Sequence, residues 1–476
     1  MKRTATATSM HHALNSDRIG KLLFQLSMPV FLGMFVQTMY NVMNTIFVGH
    51  NVGPLGIAGL SIVFPIQMLG MGMGQMVGIG GMSLISRYIG ARRPEDAEKA
   101  LGNGITLGLA ISGIVMLLVL PLVTHWLRLI GASDEVLPYA RPYLIINMLA
   151  LPFQILGMTF LNYSRAEGNA RVGMVAMIIG AITNIIFDAI FIAWLKHGVT
   201  GAAWATFISQ ATALSYLALF YLNGNSFLKV RIANLRLKWS IIRPMFSIGI
   251  GAFVQTVSGS ISAIILIGGV VHYGGDYALS AFGIIQRIFM FAFMPSMVIA
   301  QGAQPILGYN YGAGRYNLAW KVVVMALLSS TAIGTLVFLI FYFNPAPFIR
   351  VFTNDSELVG VAVDAARIMF FGMPLLGIVN GGIMVFQAIG RAVPAFIAAI
   401  ARQLFFLIPI VLIAPRFFGL DGVWMGFPGS DVLTTILVIS LVVPTLRSFR
   451  RLAAREHAKT DTTEPGPQPV TVPTGE

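Results

Sequence analysis

Asp188 stands near the centre of AITNIIFDAIFIAW (residues 181–194), a run apolar enough for a lipid bilayer, and the nearest basic residue along the chain is Lys196. A carboxylate enclosed by apolar helices has two chemical uses. Loss of solvation penalises its charged form, so it can exchange a proton near neutral pH. Alternatively, its oxygens can replace part of the hydration shell of a hard cation such as sodium. In either case each charge carried across the membrane potential is worth about 2.3 kcal/mol per 100 mV. The structural alternative is a buried ion pair, for which Arg141 is the best candidate partner.

Other polar side chains fall at a matching depth when the helical rise of about 1.5 Å per residue is counted from the ends of their apolar runs. Asn184 is one turn from Asp188 on the same helix face. Thr206, Asn44, Tyr40 and Tyr143 lie about 9 to 15 Å from the same side. In the C-terminal half, Asp431, Arg287 and Arg367 fall about 15 to 18 Å deep, and opposite charges at one depth suggest a structural ion-pair network, which also takes in Gln255. Arg402 sits nearer the opposite face, suited to a substrate anion or a helix end. Met290, Met294 and Met297, spaced i, i+4, i+7 with Phe282, Phe289 and Phe293 nearby, could form an adaptable substrate wall, or simply pack.

These residues need helices to hold them. The chain has 476 residues, 56% hydrophobic and 10% charged, with a mean hydropathy of +0.79; this describes an all-α integral membrane protein. Twelve spans are expected, near 22–48, 56–86, 98–122, 137–164, 172–195, 200–222, 243–271, 277–308, 319–343, 358–388, 393–415 and 420–446. Lys and Arg concentrate in alternate loops, and the others keep only Arg128, Lys196, Arg350 and Arg416. By the positive-inside rule both termini are cytoplasmic, and the net charge of +13 is mostly this bias and no nucleic-acid signal. The expected location is the cell (inner) membrane, with no removable signal peptide.

An internal repeat organises the spans. Phe35-Val36-Gln37-Thr38 recurs as Phe253-Val254-Gln255-Thr256, Gly90-Ala91-x-Arg93 as Gly312-Ala313-x-Arg315, and Gly198-x-x-Gly201 as Gly419-x-x-Gly422. Six spans is an even number, so the halves share one orientation and are related by a pseudo-two-fold axis along the membrane normal. The expected layout is a cytoplasmic segment 1–20, a six-helix bundle 21–222, a basic linker 223–242, a second bundle 243–446 and a disordered tail 447–476. Zero cysteines exclude disulfides and thiol chemistry. No Walker A, HExxH or G-x-S-x-G is present, and GMGMGQMVGIGG (70–81) is a close-packing helix without dinucleotide spacing. No enzyme activity, metal or cofactor is expected.

The chain resembles the multidrug and toxic compound extrusion (MATE) transporters, and among them the DinF-like branch. The likeness rests on MYNVMNTIFVG (39–49), YSRAEGNARVGM (163–174), NIIFDAIFI (184–192), GAAWATFISQ (201–210), GAQPILGYNYGAG (302–314) and GVWMGFPGSD (422–431). It implies a monomeric antiporter that exports cationic or amphipathic small molecules in exchange for protons or sodium by alternating access. It also implies that Asp188, Asn184 and Thr206, with Tyr40 and Tyr143, form the cation site of the N-terminal half, and that Pro29 is a hinge or a static kink. Many relatives carry an aspartate where this chain has Asn44, which cannot titrate. The alternative function is a flippase or exporter of an endogenous metabolite or lipid-linked precursor, for which several cationic side chains would line the cleft. A membrane receptor or enzyme is disfavoured by the repeat.

Overall fold

The computed structural model describes residues 18–461. Prolines and glycines punctuate the helices where backbone geometry requires them. The first two spans are α1 (Ile19–Asn51) and α2 (Pro54–Gly90); α2 opens on Pro54 after Gly53, whose φ of 86° suits glycine. Pro94 likewise starts α3 (Pro94–Val119), with Glu95 and Asp96 on the positive end of the helix dipole. The N-terminal half is completed by α4 (Leu137–Ala166), α5 (Ala170–Asp188) and α6 (Gly198–Leu222).

The helical stretch Trp239–Gly312 is 74 residues long, twice what a bilayer needs, and Gly275 divides it with φ 63° and ψ −160°. It therefore supplies α7 (239–274) and α8 (276–312). Then follow α9 (Tyr316–Phe343) and α10, which runs from Ser356 to Ile389 through a tightened turn at Phe370–Gly372. Asp355 caps the start of α10 by accepting from the Glu357 and Leu358 amides. The last two are α11 (392–413) and α12 (Leu420–Asp461). All twelve expected spans are present. The tail differs from expectation: α12 stays helical to Asp461, well past residue 447. Residues 1–17 and 462–476, which hold most of the expected segment 1–20 and half of the expected tail 447–476, lie outside the described residues.

Three apolar cores show how the halves meet. One draws Leu22, Ile85 and Ala170 from the first half together with Ile306, Val322 and Ala395 from the second, so both halves share it. The other two are separate, one around Val48, Val63, Leu127 and Ile192 and the other around Val270, Ile349, Val359 and Val423. The shared core lies on the side of the basic loops, and the separate cores lie on the opposite side. The halves are joined at the basic side and splay toward the other.

Glycine makes that junction possible. A Cβ on Gly90 would strike the Tyr309 carbonyl, and one on Gly312 the Arg87 carbonyl. Tyr309 and Gly312 stand at one constant offset from Arg87 and Gly90, so α2 and α8 cross reciprocally. A second reciprocal contact, Gly80 on Met245 and Gly249 on Met76, joins α2 to α7. The α2–α8 reciprocity displays the pseudo-two-fold relation, and the backbone approach in both contacts is the kind that small residues permit between membrane helices.

Candidate ion-coupling site

Asp188 ends the regular part of α5. From Ala189 to Trp194 the backbone widens into a π-helical segment, with the Leu195 amide donating to the Ile190 carbonyl at 2.8 Å. Such widenings often occur at functional sites and re-aim side chains. The Asp188 side chain is fully buried, and neither carboxylate oxygen has a hydrogen-bond partner among the described residues. Arg141 is exposed, and none of the five ion pairs among the described residues includes Asp188. The buried ion-pair alternative is therefore not realised.

The surrounding layer assembles largely as the depth count requires. Tyr40 and Tyr143 both lie near Asp188, and Tyr40 lies near Tyr143. Asn184 is fully buried with both amide atoms unpartnered, and the buried Asn44 has an unpartnered Oδ1. Thr206 is buried, but its hydroxyl donates to the Ala202 carbonyl at 3.0 Å, leaving its lone pairs for any ligand. Pro29 sits inside the unbroken α1.

Two further residues join the layer from α2 and α4. Gln67 Nε2 donates to the Tyr143 hydroxyl at 3.3 Å and to Asn147 Oδ1 at 2.7 Å, while Asn147 Nδ2 donates to the Tyr143 carbonyl at 2.9 Å. This network holds the Tyr143 ring in place. Gln210, one turn beyond Thr206, adds another buried unpartnered oxygen. Each is a polar side chain inside an apolar span, so the rule that picks out Asp188 applies to them as well. The π segment leaves no such mark.

The C-terminal half is built differently from expectation. Asp431 is fully buried and pairs with Arg402, whose Nε donates to Asp431 Oδ1 at 2.6 Å. Arg287 is exposed, and Arg367 is exposed and donates to the Tyr342 carbonyl at 3.3 Å. The expected network of Asp431 with Arg287 and Arg367 is replaced by one tight pair between α11 and α12. Arg402 does not lie near the opposite face as expected: it is about 15 Å along α11 from Ala392, level with Asp431. Depth says nothing of azimuth, which turns Arg287 and Arg367 outward. Gln255 is partly buried on α7. Asp431 Oδ2 lies against Gly372, in the tightened turn of α10, where no side chain would fit.

The proposed methionine wall also divides. Met290 is 53% exposed, but Met294 is buried in the shared core at 4%, and Met297 lies between these extremes. Phe289 stacks on Phe293 and edges against Phe370 and Phe427, inside the C-terminal half. Of the five, Met290 alone stands well clear. Between the halves, Phe35 of α1 meets Phe291 of α8 edge to face at 6.1 Å, near the middle of both helices.

The MatE family model matches residues 29–190 and 238–413, one block in each half. The chain is 28% identical over 423 residues to the multidrug export protein MepA of Staphylococcus aureus (strain MSSA476), an alignment covering 89% of this chain and 93% of the relative. Among solved structures, it is similar to an outward-facing conformation of a multidrug resistance MATE family transporter of the MOP superfamily, with a TM-score of 0.87, 25% identity and coverage of 92% and 98%. A second likeness, to a MATE in complex with MaL6, has a TM-score of 0.88 over 92% of this chain and 99% of the other at 24% identity, which concerns the fold. With a two-fold pair of six-helix bundles, a buried carboxylate without an ion-pair partner among the described residues in the first of them and the family model matched across both, the chain belongs to the MatE family of transporters.

Proposed function

We propose that this transporter exports cationic or amphipathic small molecules, acting as a monomer that exchanges them for protons or sodium with Asp188 as the ion-binding group. The observation that carries the reading is the Asp188 carboxylate itself, fully buried and unpartnered, beside the Asn184 amide and the Tyr40 and Tyr143 rings. A proton or a sodium ion supplies the partner that the protein withholds. Binding it neutralises the site, and releasing it on the other side of the membrane completes the exchange.

The name of the MepA relatives supports multidrug substrates. Those relatives speak for the family, and the motifs from MYNVMNTIFVG to GVWMGFPGSD support a place near its DinF-like branch. The loop charges support a cytoplasmic position for the basic side and both termini in the cell membrane. In that orientation the halves are closed toward the cytoplasm and splayed outward. A precursor flippase would line its cleft with several cations, whereas Arg402 is taken by Asp431.

Proteoliposomes with separately imposed proton and sodium gradients test the reading, using a cationic dye as substrate. Wild type accumulates dye against its gradient under one of the two ions, and Asp188→Asn loses this driven transport while still exchanging dye for dye. Undiminished driven transport in Asp188→Asn would remove the carboxylate from the mechanism.

A further inference from the structure

The segment joining the two halves, LNGNSFLKVRIANLRLKW (222–239), carries Lys229, Arg231, Arg236 and Lys238 and no acid. The structure shows it as a strap fastened along its length to the N-terminal half. Ser226 Oγ donates to Glu167 at 2.8 Å, and the Phe227 amide donates to the same carboxyl at 3.2 Å. The Lys229 amide donates to Glu98 Oε1 at 3.3 Å, and Arg231 pairs with Glu98 Oε2 at 3.1 Å. Farther along, Thr106 donates to the Leu235 carbonyl at 2.7 Å, and the Lys238 amide donates to Asn103 Oδ1 at 2.6 Å. Gly102 lets the strap pass, since a Cβ there would strike the Asn234 carbonyl.

Fastening this backbone inward turns particular side chains outward. Ile232 is 88% exposed and Trp239 73%, with Leu237 exposed beside them. Lys229, Arg236, Lys238 and the following Arg243 are exposed too, and none of them makes an ion pair among the described residues. Three of the acids nearby are already used, Glu98 by Arg231, Glu167 by Ser226 and Phe227, and Asp96 by Arg93 and Lys99, while Glu95 is exposed at the start of α3. The strap joins the ends of two bilayer-spanning helices on one side, so it lies at the level where headgroups begin. An isoleucine and a tryptophan projecting among unpaired cations suit neither bulk water nor hydrocarbon. They suit the boundary between headgroups and acyl chains, where aromatic rings settle and cations meet lipid phosphates.

We infer that the exposed face of the strap, with Lys229, Arg236, Lys238 and Arg243 around Ile232 and Trp239, is a docking surface for anionic phospholipid headgroups. Positive-inside bias alone accounts for the charges, but not for the rigid presentation of two large apolar side chains between them. The inference depends on the chain lying in a bilayer and not on the transport reading, so the two fail separately.

The full-length protein in detergent is titrated with phosphatidylglycerol or phosphatidylcholine, and bound lipid is counted by native mass spectrometry. Each basic residue near an anionic surface strengthens the contact by about fivefold, so the triple variant K229Q/R236Q/K238Q weakens phosphatidylglycerol binding by up to about a hundredfold. Phosphatidylcholine binding and thermal unfolding stay as in wild type, because none of the three side chains makes a hydrogen bond or ion pair among the described residues. Separately, brominated phosphatidylglycerol in vesicles quenches wild-type fluorescence more than that of Trp239→Phe. Equal binding of the two lipids by wild type, an unchanged affinity in the triple variant, or displacement of lipid by inorganic phosphate would each overturn the inference.

Discussion

At the scale of single residues, the two halves treat their buried carboxylates in opposite ways. Asp188 has no partner among the described residues, while Asp431 has a guanidinium at 2.6 Å. Removing one member of a buried pair strands the other charge, at a cost of about 3 to 5 kcal/mol, whereas replacing both with apolar groups of similar size is often neutral. Asp431→Leu and Arg402→Met should therefore each lower thermal stability sharply in detergent, and the double variant should recover most of it. Stability equal to wild type in either single variant would show that the pair is not closed in the membrane-bound protein. Asp188→Asn strands nothing and should leave stability nearly unchanged. The sequence marks both acids as expensive inside a bilayer, since that follows from residue type and depth alone. Whether each has a partner depends on how α11 and α12 are rotated about their axes, which the apolar periodicity of a wholly buried helix does not encode.

Among the elements, the strap is the one whose docking the sequence leaves unmarked. A basic stretch between two apolar spans reads as a linker, yet its amides and the Ser226 hydroxyl donate to Glu98, Asn103 and Glu167, and its Leu235 carbonyl accepts from Thr106, across gaps of 59 to 135 residues. Glu167 lies between α4 and α5, outside the spans, and is fully buried. Burial pushes its carboxyl up from 4.5 to about 8, outweighing the donors Ser226, Phe227 and Tyr221, which pull it down. The folded state therefore holds this proton more tightly than the unfolded chain does. Its contribution is fully present below about pH 4.5 and is lost as pH rises to about 8, with a slope of up to about 1.4 kcal/mol per pH unit. Unfolding temperatures measured across that window should fall with pH in wild type more steeply than in Glu167→Gln, whose side chain cannot ionise. Parallel curves for the two proteins would mean that Glu167 is solvated and the strap undocked.

For the whole molecule, the architecture was legible because it rests on counting: span lengths, loop charge and a repeat whose matched positions keep one offset. The repeat goes further than its motifs suggest, since Arg87 and Gly90 meet Gly312 and Tyr309 across the pseudo-two-fold in reciprocal contacts. The opening direction was not legible, because the same twelve helices can close at either end; it appears only in the single shared core at the basic side and the two separate cores opposite. If the halves rock about this junction, locking it must stop transport. The absence of cysteine from the whole chain makes the lock clean to build. A Cβ placed on Gly308 would lie 3.1 Å from Ser86 Cβ, close to the roughly 3.5 to 4.5 Å spacing of a disulfide. The variant S86C/G308C should crosslink on oxidation, lose dye transport in proteoliposomes while oxidised, and regain it on reduction. Transport that survives complete oxidation would show that alternating access proceeds without parting α2 from α8, and would place the moving elements within each half.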